Sequence, residues 1–163
     1  MAEKPRSKIE LGVFVKNEAG RKGVPLRPSF ERWIAEIPDL RRFRRRLVQV
    51  NILIVGSAAG RRFNRQFRGR DYATNVLSFP HERHPAERDV LLGDMVICAP
   101  LVAREAREQG KALRDHYAHL TLHGVLHLLG YDHEDDAEAT RMEALETRLL
   151  ARLGIADPYA ETT

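Results

Sequence analysis

Three histidines in the last third of the sequence have the spacing of metal ligands. His123 and His127 are four residues apart, and His133 follows Gly130 in the segment HGVLHLLGYDH. On a helix, residues four apart project from one face on adjacent turns, so two imidazoles can bind one ion. Gly130 permits the sharp turn with which helices commonly end, and turning there brings His133 back toward the same ion.

Three neutral nitrogen ligands with an open fourth position are typical of a catalytic zinc site. Zinc in such a site lowers the pKa of a bound water to about 7, which gives a hydroxide nucleophile near neutral pH. We therefore predict one zinc ion per chain, although three-histidine sites also accept nickel, cobalt or copper. Gly124 lies between two ligands, where a helical glycine costs about 1 kcal/mol relative to alanine. We interpret the choice of glycine at position 124 as leaving open space beside the metal.

Neighbouring residues could compete with the ligands or support them. His119 lies one turn before His123, but one straight helix cannot wrap three successive turns around one ion. We therefore predict His133 as the third ligand, and we interpret His116 and His119 as surface groups or as support behind the ligands. Asp132 could hold a ligand histidine through its second ring nitrogen, or it could cap the turn after the helix.

The histidine spacing also matches that of the metzincin proteases, which carry a glutamate directly after the first histidine. That glutamate is their general base, and this chain has Gly124 in its place. Its loss would slow peptide hydrolysis about 10²–10⁴-fold unless another group replaces it. A metalloprotease-like hydrolase, with a base borrowed from Glu134 or Asp94, is therefore the second hypothesis.

Hydrophobic periodicity predicts the elements that position these residues. Early strands and late helices favour an α+β fold, with a single mixed sheet of about four strands, about five helices and a metzincin-like zinc helix. We predict a disordered segment over 1–8, a single zinc hydrolase domain over 9–154 and a C-terminal tail over 155–163. Strands are predicted near 9–15, 48–54, 75–79 and 91–98, and helices near 29–37 (capped by Ser29), 57–67, 99–109, 112–129 and 136–152, the last with Met142, Leu145, Leu149 and Leu153 as its core stripe.

Composition narrows the class of protein. No stretch approaches the ~18 apolar residues of a membrane span, and the first residues lack the apolar run of a signal peptide. The single cysteine, Cys98, excludes a disulfide framework within the chain, which suits a reducing compartment. We therefore expect a cytoplasmic protein without a membrane partner.

The charge of the chain suggests a class of partner. The formal charge is +4, and only five of the 27 basic residues are lysines. An arginine-rich basic chain suggests a nucleic-acid partner.

Two further segments accompany the histidines. FRGRDYATNVLSFP spans residues 67–80 and LLGDMVIC spans residues 91–98. With the histidine motif, they resemble the YbeY family, the bacterial rRNA maturation factors and endoribonucleases. The resemblance covers about residues 47–154, with mild departures at Arg70, Ala73 and Met95. Residues 1–46, including the basic run 41–46, carry little of it.

The resemblance implies roles for several residues. It implies zinc binding by the three histidines, and it matches Arg68 to the important arginine of the family's R-G-K-D motif. A guanidinium near zinc could clamp a phosphate, although a surface salt bridge with Asp71 is an equal alternative from the residues alone. Asp94 belongs to the family's L-G-D motif, and either catalysis or structural hydrogen bonding would explain it.

Other basic residues have two interpretations as well. Arg65 and Arg70 lie beside Arg68 and could contact RNA phosphates, or they could form a solvated face. The same choice applies to the run 41–46. No aromatic RNA-recognition motif accompanies either cluster.

The resemblance implies a function that the metal motif alone does not. We expect a zinc-dependent, single-strand-specific endoribonuclease that acts in maturation of the 16S rRNA 3′ end and in ribosome quality control. Its expected partners are rRNA precursor, the small ribosomal subunit and assembly factors of that subunit. The attacking group, either water or the RNA 2′-hydroxyl, stays open. A third hypothesis is a non-catalytic ribosome assembly factor whose zinc is structural.

Overall fold

A computed structural model describes residues 9–44, 46–84 and 86–160 of the chain. It has one mixed sheet of four strands, β1 (Glu10–Asn17), β2 (Leu47–Val55), β3 (Val76–Pro80) and β4 (Val90–Cys98), in the spatial order β1-β2-β4-β3. β1, β2 and β4 run parallel, and β3 pairs antiparallel with β4. The α+β prediction is therefore confirmed. The helices in the described ranges are α1 (Arg27–Ala35), a 3-10 helix (Pro38–Phe43), α2 (Ser57–Arg68), α3 (Ala99–Glu108), α4 (Leu113–Leu128) and α5 (Asp136–Arg152).

The main core lies on the face of the sheet that α4 covers. Alternation along β4 sends Met95 and Ile97 to this face, where they are fully buried in one cluster with Leu122 and Leu126 of α4. α4 also contacts α1, α3 and α5. It is therefore buried on most sides, and the residues on its remaining side have a rigid support.

The other face of the sheet is covered by α2. Leu77 and Val96 form a small second core there, with Phe63 of α2 packed against it. Phe14 and Phe67 stay more than half exposed beside it. Across the described ranges, none of the helices is long and apolar enough to cross a membrane.

Two details of the helices differ from the sequence prediction. α1 begins at Arg27 with Pro28 in its first turn, so Ser29 is not its cap; proline suits that position because its ring fixes φ and no intrahelical N–H is needed there. The core stripe of α5 is rotated relative to the prediction. Its buried residues are Met142, Glu146, Leu149 and Leu150, while Leu145 and Leu153 are only partly buried.

Candidate metal centre and its groove

The three predicted ligands converge at the C-terminal end of α4. The ligand atoms of His123, His127 and His133 lie within 4.8 Å of one another. The Nε2 atoms of His123 and His127 are 3.1 Å apart. In a tetrahedral zinc site two nitrogens are separated by about 3.3 Å, because each Zn–N bond is about 2.0–2.1 Å long. The spacing of this pair therefore fits a shared metal ion.

The turn after α4 brings His133 to the helical pair. The N–H of Tyr131 donates to the Leu126 carbonyl at 3.0 Å, and the N–H of Gly130 donates to the His127 carbonyl at 3.0 Å. This is the Schellman pattern, which needs a residue with positive φ; Gly130 has φ 101°. The side chain of Asp132 caps the turn that follows, since its Oδ1 accepts a hydrogen bond from the His133 N–H at 2.7 Å. This contact corresponds to the turn-capping role predicted for Asp132, and its second predicted role, holding a ligand histidine, stays a prediction.

Hydrogen bonds to the far side of the imidazoles fix which nitrogen faces the centre. His127 Nδ1 is 3.0 Å from the Tyr131 carbonyl oxygen, so Nδ1–H is the donor. His123 Nδ1 contacts the carboxylate of Glu146 in the same way. Each ring then presents an unprotonated Nε2 to the other, which is the arrangement that a bound cation requires. Burial, followed by the neighbouring His123 and His133, lowers the pKa of His127 and favours this neutral form.

Glu146 is the functional residue that the sequence analysis missed. It is fully buried on α5, and its carboxylate contacts His123, His119 and Tyr159. Burial alone would raise the pKa of this carboxyl, but hydrogen bonds from His119 and His123 outweigh it and hold the pKa at about 2. Outer carboxylates that orient a ligand histidine are common at zinc sites. A charged residue in the apolar stripe of α5 was the signal that could have revealed it.

The two earlier histidines of α4 lie behind the centre. His119 Nε2 is 3.1 Å from Glu146 Oε2, so His119 supports the group that contacts His123. His116 is buried and lies 3.2 Å from Glu105 Oε1 on α3. Burial lowers the pKa of His116 more than Glu105 raises it. The predicted supporting position fits His119, whereas His116 joins α4 to α3.

A groove of about 990 Å³ connects the histidines to the basic segment after α2. Arg68, Arg70 and Tyr72 line one part of it, and the three histidines and Glu134 line another. Arg70 donates to the Tyr72 hydroxyl at 2.9 Å, and the Tyr72 side chain is 53% exposed. A groove with a metal-ligand cluster, two guanidiniums and an open aromatic ring suits a phosphate-bearing, single-stranded ligand.

Arg68 is not held by the acid that was its alternative partner. Asp71 instead binds Arg61 through two hydrogen bonds of 2.7 and 2.8 Å. Within the described ranges, Arg68 has no acidic group at ion-pair distance. Its exposed guanidinium therefore lines the groove with no carboxylate at ion-pair distance among the residues that the structure describes.

Two other candidates do not line this groove. Asp94 lies on the opposite face of the sheet, beside Phe79 and Val96, and accepts from the Asn51 amide at 2.9 Å. Strand alternation explains the difference, because the next residue, Met95, points toward α4. Arg65 is exposed on α2, outside the residues that line the groove. Of the basic run 41–46, Arg42 pairs with Asp39 at 3.1 Å, and position 45 lies outside the described residues.

The space beside Gly124 is filled, which corrects our interpretation of this glycine. A Cβ at Gly124 would collide with Met95 Cε and lie 3.1 Å from Ser78 Oγ. The Ser78 hydroxyl also donates to the Gly124 carbonyl at 3.2 Å. Gly124 therefore serves the close approach of α4 to β3 and β4 and does not leave a cavity beside the metal centre.

Comparison with known proteins agrees with these features. A family model described as Endoribonuclease YbeY matches residues 15–154. The chain belongs to the YbeY family. Among its relatives, the Endoribonuclease YbeY of Stenotrophomonas maltophilia (strain K279a) is 54% identical over 159 residues, which cover 95% of this chain and 97% of the relative. That of Xanthomonas campestris pv. campestris (strain B100) is 51% identical over 156 residues, or 93% and 95% of the two chains.

A solved structure shows the same fold at lower identity. The solution structure of TM1509 from Thermotoga maritima superposes with a TM-score of 0.54 at 22% sequence identity. The match covers 91% of this chain and 99% of that one. The family resemblance predicted from the three motifs is thus confirmed, and the YbeY-family match extends toward the N-terminus well beyond residue 47.

Proposed function

We propose that this chain is a zinc-dependent, single-strand-specific endoribonuclease of the cytoplasm that matures the 16S rRNA 3′ end and serves ribosome quality control. One observation carries the proposal: a single groove contains three convergent histidines and an arginine with no acidic partner among the described residues. The name Endoribonuclease YbeY of the relatives supports RNA as the substrate. The proposed partners are rRNA precursor, the small ribosomal subunit and its assembly factors.

Different residues of the groove would have different roles in binding RNA. His123, His127 and His133 would hold the metal, and zinc there would supply Lewis-acid stabilisation of the charge that develops on the scissile phosphate. Arg68 would bind the phosphate through its guanidinium fork, which matches phosphate oxygens bidentately. Arg70 would contact a neighbouring phosphate, and the exposed ring of Tyr72 would stack on an unpaired base. This last contact would favour single strands, because bases within a duplex are already stacked.

RNA cleavage by purified full-length variants tests this proposal. His123→Ala removes a ligand and should abolish cleavage of an rRNA precursor. Arg68→Ala should lower kcat/KM on the order of 10²-fold, the usual effect of removing one group that stabilises transition-state charge. Arg107→Ala, an exposed arginine of α3 outside the groove, is the charge-matched control and should cleave like wild type. Full activity of the first two variants would refute the catalytic assignment.

A peptide-cleaving hydrolase is the second candidate, because Glu134 lines the same groove and could act as a base. Asp94 lies on the other face of the sheet, outside the residues that line this groove, which favours Glu134 as the base. This candidate would be favoured if the wild-type chain cleaves casein but leaves RNA intact, and if Glu134→Gln no longer cleaves casein. We expect the opposite result: no casein cleavage, and RNA cleavage that Glu134→Gln retains.

A further inference from the structure

We propose that Tyr159, in the segment after α5, and Glu146 are positioning residues for the metal centre. Through them the C-terminal segment would control how firmly His123 is oriented, and therefore the metal affinity. The inference rests on the metal site of the proposed function. It does not depend on RNA being the substrate.

The first argument is the complete pairing of a buried carboxylate. Glu146 is 0% exposed, and a buried charge is tolerated only when hydrogen bonds surround it. One oxygen, Oε1, accepts from the Nδ1–H of His123. The other, Oε2, lies 3.1 Å from His119 Nε2 and accepts a hydrogen bond from the Tyr159 hydroxyl. Tyr159 thus binds the oxygen that the ligand histidine leaves free.

The second argument is that the position of Tyr159 is itself fixed. Its backbone N–H donates to Asp157 Oδ1 at 2.8 Å. The Thr147 hydroxyl of α5, which donates to the Glu143 carbonyl at 2.8 Å, lies 3.3 Å from the same Asp157 oxygen. Lys111 Nζ donates to the Pro158 carbonyl at 3.3 Å. The segment is therefore tied to α5 and to the residues before α4, and the Tyr159 hydroxyl is held in place.

These contacts predict a graded effect on the metal centre. Without the Tyr159 hydroxyl, Oε2 keeps only His119, and water can reach the carboxylate from the side where Tyr159 lies. The carboxylate would then fix the ring of His123 and its Nδ1–H tautomer less firmly. Loss of an outer partner at a metal site typically lowers metal affinity about 10–100-fold. We expect that range for Glu146→Gln, and about 3–10-fold for Tyr159→Phe, which is one hydrogen bond further out.

Metal affinity and the spectrum of the metal are the appropriate measurements. Zinc affinity of the full chain would be measured by competition with a chromophoric chelator. The visible absorption of the Co²⁺-loaded chain would report the ligand geometry. Thr140→Val is the matched control, because it removes a hydroxyl from the same helix that donates only to the Asp136 carbonyl. Tyr159→Phe and Glu146→Gln should weaken zinc binding and change the Co²⁺ spectrum, whereas Thr140→Val should do neither.

Unfolding of the metal-free variants separates positioning from general stability. Tyr159→Phe changes only a partly exposed side chain, so it should fold even if Glu146→Gln does not. The proposal is overturned if Tyr159→Phe has the zinc affinity of wild type and the same Co²⁺ absorption spectrum, whatever its unfolding midpoint. A wild-type chain that binds zinc through these residues but cleaves no RNA would refute the proposed function and leave this inference standing.

Discussion

The positions of the ring protons decide what the three histidines can bind. The carbonyl of Tyr131 and the carboxylate of Glu146 hold the protons of His127 and His123 on Nδ1. The Nε2 atoms of the two rings are then available to bind a metal ion, and they lie 3.1 Å apart. A histidine pair without such partners could rotate or protonate freely, so the supporting contacts are as important to a metal site as the ligands.

Metal binding should weaken as the pH falls. Ligand nitrogens must be deprotonated, so protons compete with zinc. Burial first, and then His123 and His133, lower the pKa of His127, so this ring stays neutral below the ordinary histidine pKa of about 6.5. We expect zinc affinity to be nearly constant above pH of about 7 and to fall progressively below it. Chelator competition across this range is the measurement, and affinity that stays constant or rises toward low pH would contradict the histidine assignment.

Tyr72 is the residue that we expect to distinguish single strands. A base stacked on an aromatic side chain contributes about 1–3 kcal/mol. Tyr72→Ala should therefore raise KM for a single-stranded RNA by about 5–100-fold with little change in kcat. Tyr72→Phe loses the hydrogen bond to Arg70 but keeps the ring, and it should bind like wild type. Equal KM values for wild type and Tyr72→Ala would show that Tyr72 does not contribute to RNA binding.

At the level of elements, the distance between α4 and the sheet depends on Gly124. Its position against Met95 and Ser78 lets α4 lie close to β3 and β4. Helix propensity alone would make Gly124→Ala stabilising by about 1 kcal/mol. Overpacking a filled core costs about 1–3 kcal/mol, because neighbours must leave their preferred rotamers.

We therefore expect Gly124→Ala to lower the free energy of unfolding, and to do so less in a Met95→Leu background. Leucine lacks the terminal methyl that would collide with the new Cβ, so the two substitutions should not be additive. Urea unfolding of the two single variants and the double variant measures this coupling. A Gly124→Ala chain more stable than wild type would mean that the helix can move away from the sheet at no cost.

The elements also show where sequence reasoning succeeds and where it stops. The spacing of His123, His127 and Gly130 predicted the helix, the turn and the convergence of the three histidines, because all depend on local geometry. Asp94 was named as a candidate because it belongs to the family's L-G-D motif, whereas the alternation of β4 places it on the face of the sheet opposite α4. Glu146 was missed because it is 23 residues from His123 in sequence, and their contact exists only once α5 packs on α4.

At the level of the whole molecule, charge and shape favour an anionic ligand. The chain carries a formal charge of +4, and Arg68 and Arg70 line the same groove as the histidines. Phosphate contacts release counterions, so affinity falls as salt rises. On the other face of the sheet, the described residues that line a cavity beside Asp94 are mostly apolar, with Lys16 and Arg27 as its basic members.

RNA affinity should therefore depend steeply on salt, with identifiable contributions from the two arginines. The slope of log affinity against log salt changes by about 0.7 for each phosphate contact to a single strand. Arg68→Ala and Arg70→Ala should each make the wild-type slope shallower by about that amount, and Arg107→Ala should not change it. Identical slopes for all four proteins would place the RNA elsewhere on the surface.

Reconstitution of the metal-free chain tests whether RNA cleavage depends on zinc bound by the three histidines. Full-length protein stripped with a chelator would receive zinc in measured portions, and cleavage of a single-stranded rRNA precursor would be followed at each step. Cleavage should be absent at the start, rise in proportion to added zinc and stop rising at one equivalent per chain, and His123→Ala should stay inactive throughout. Undiminished cleavage by the stripped wild-type chain, or by His123→Ala, would contradict the account.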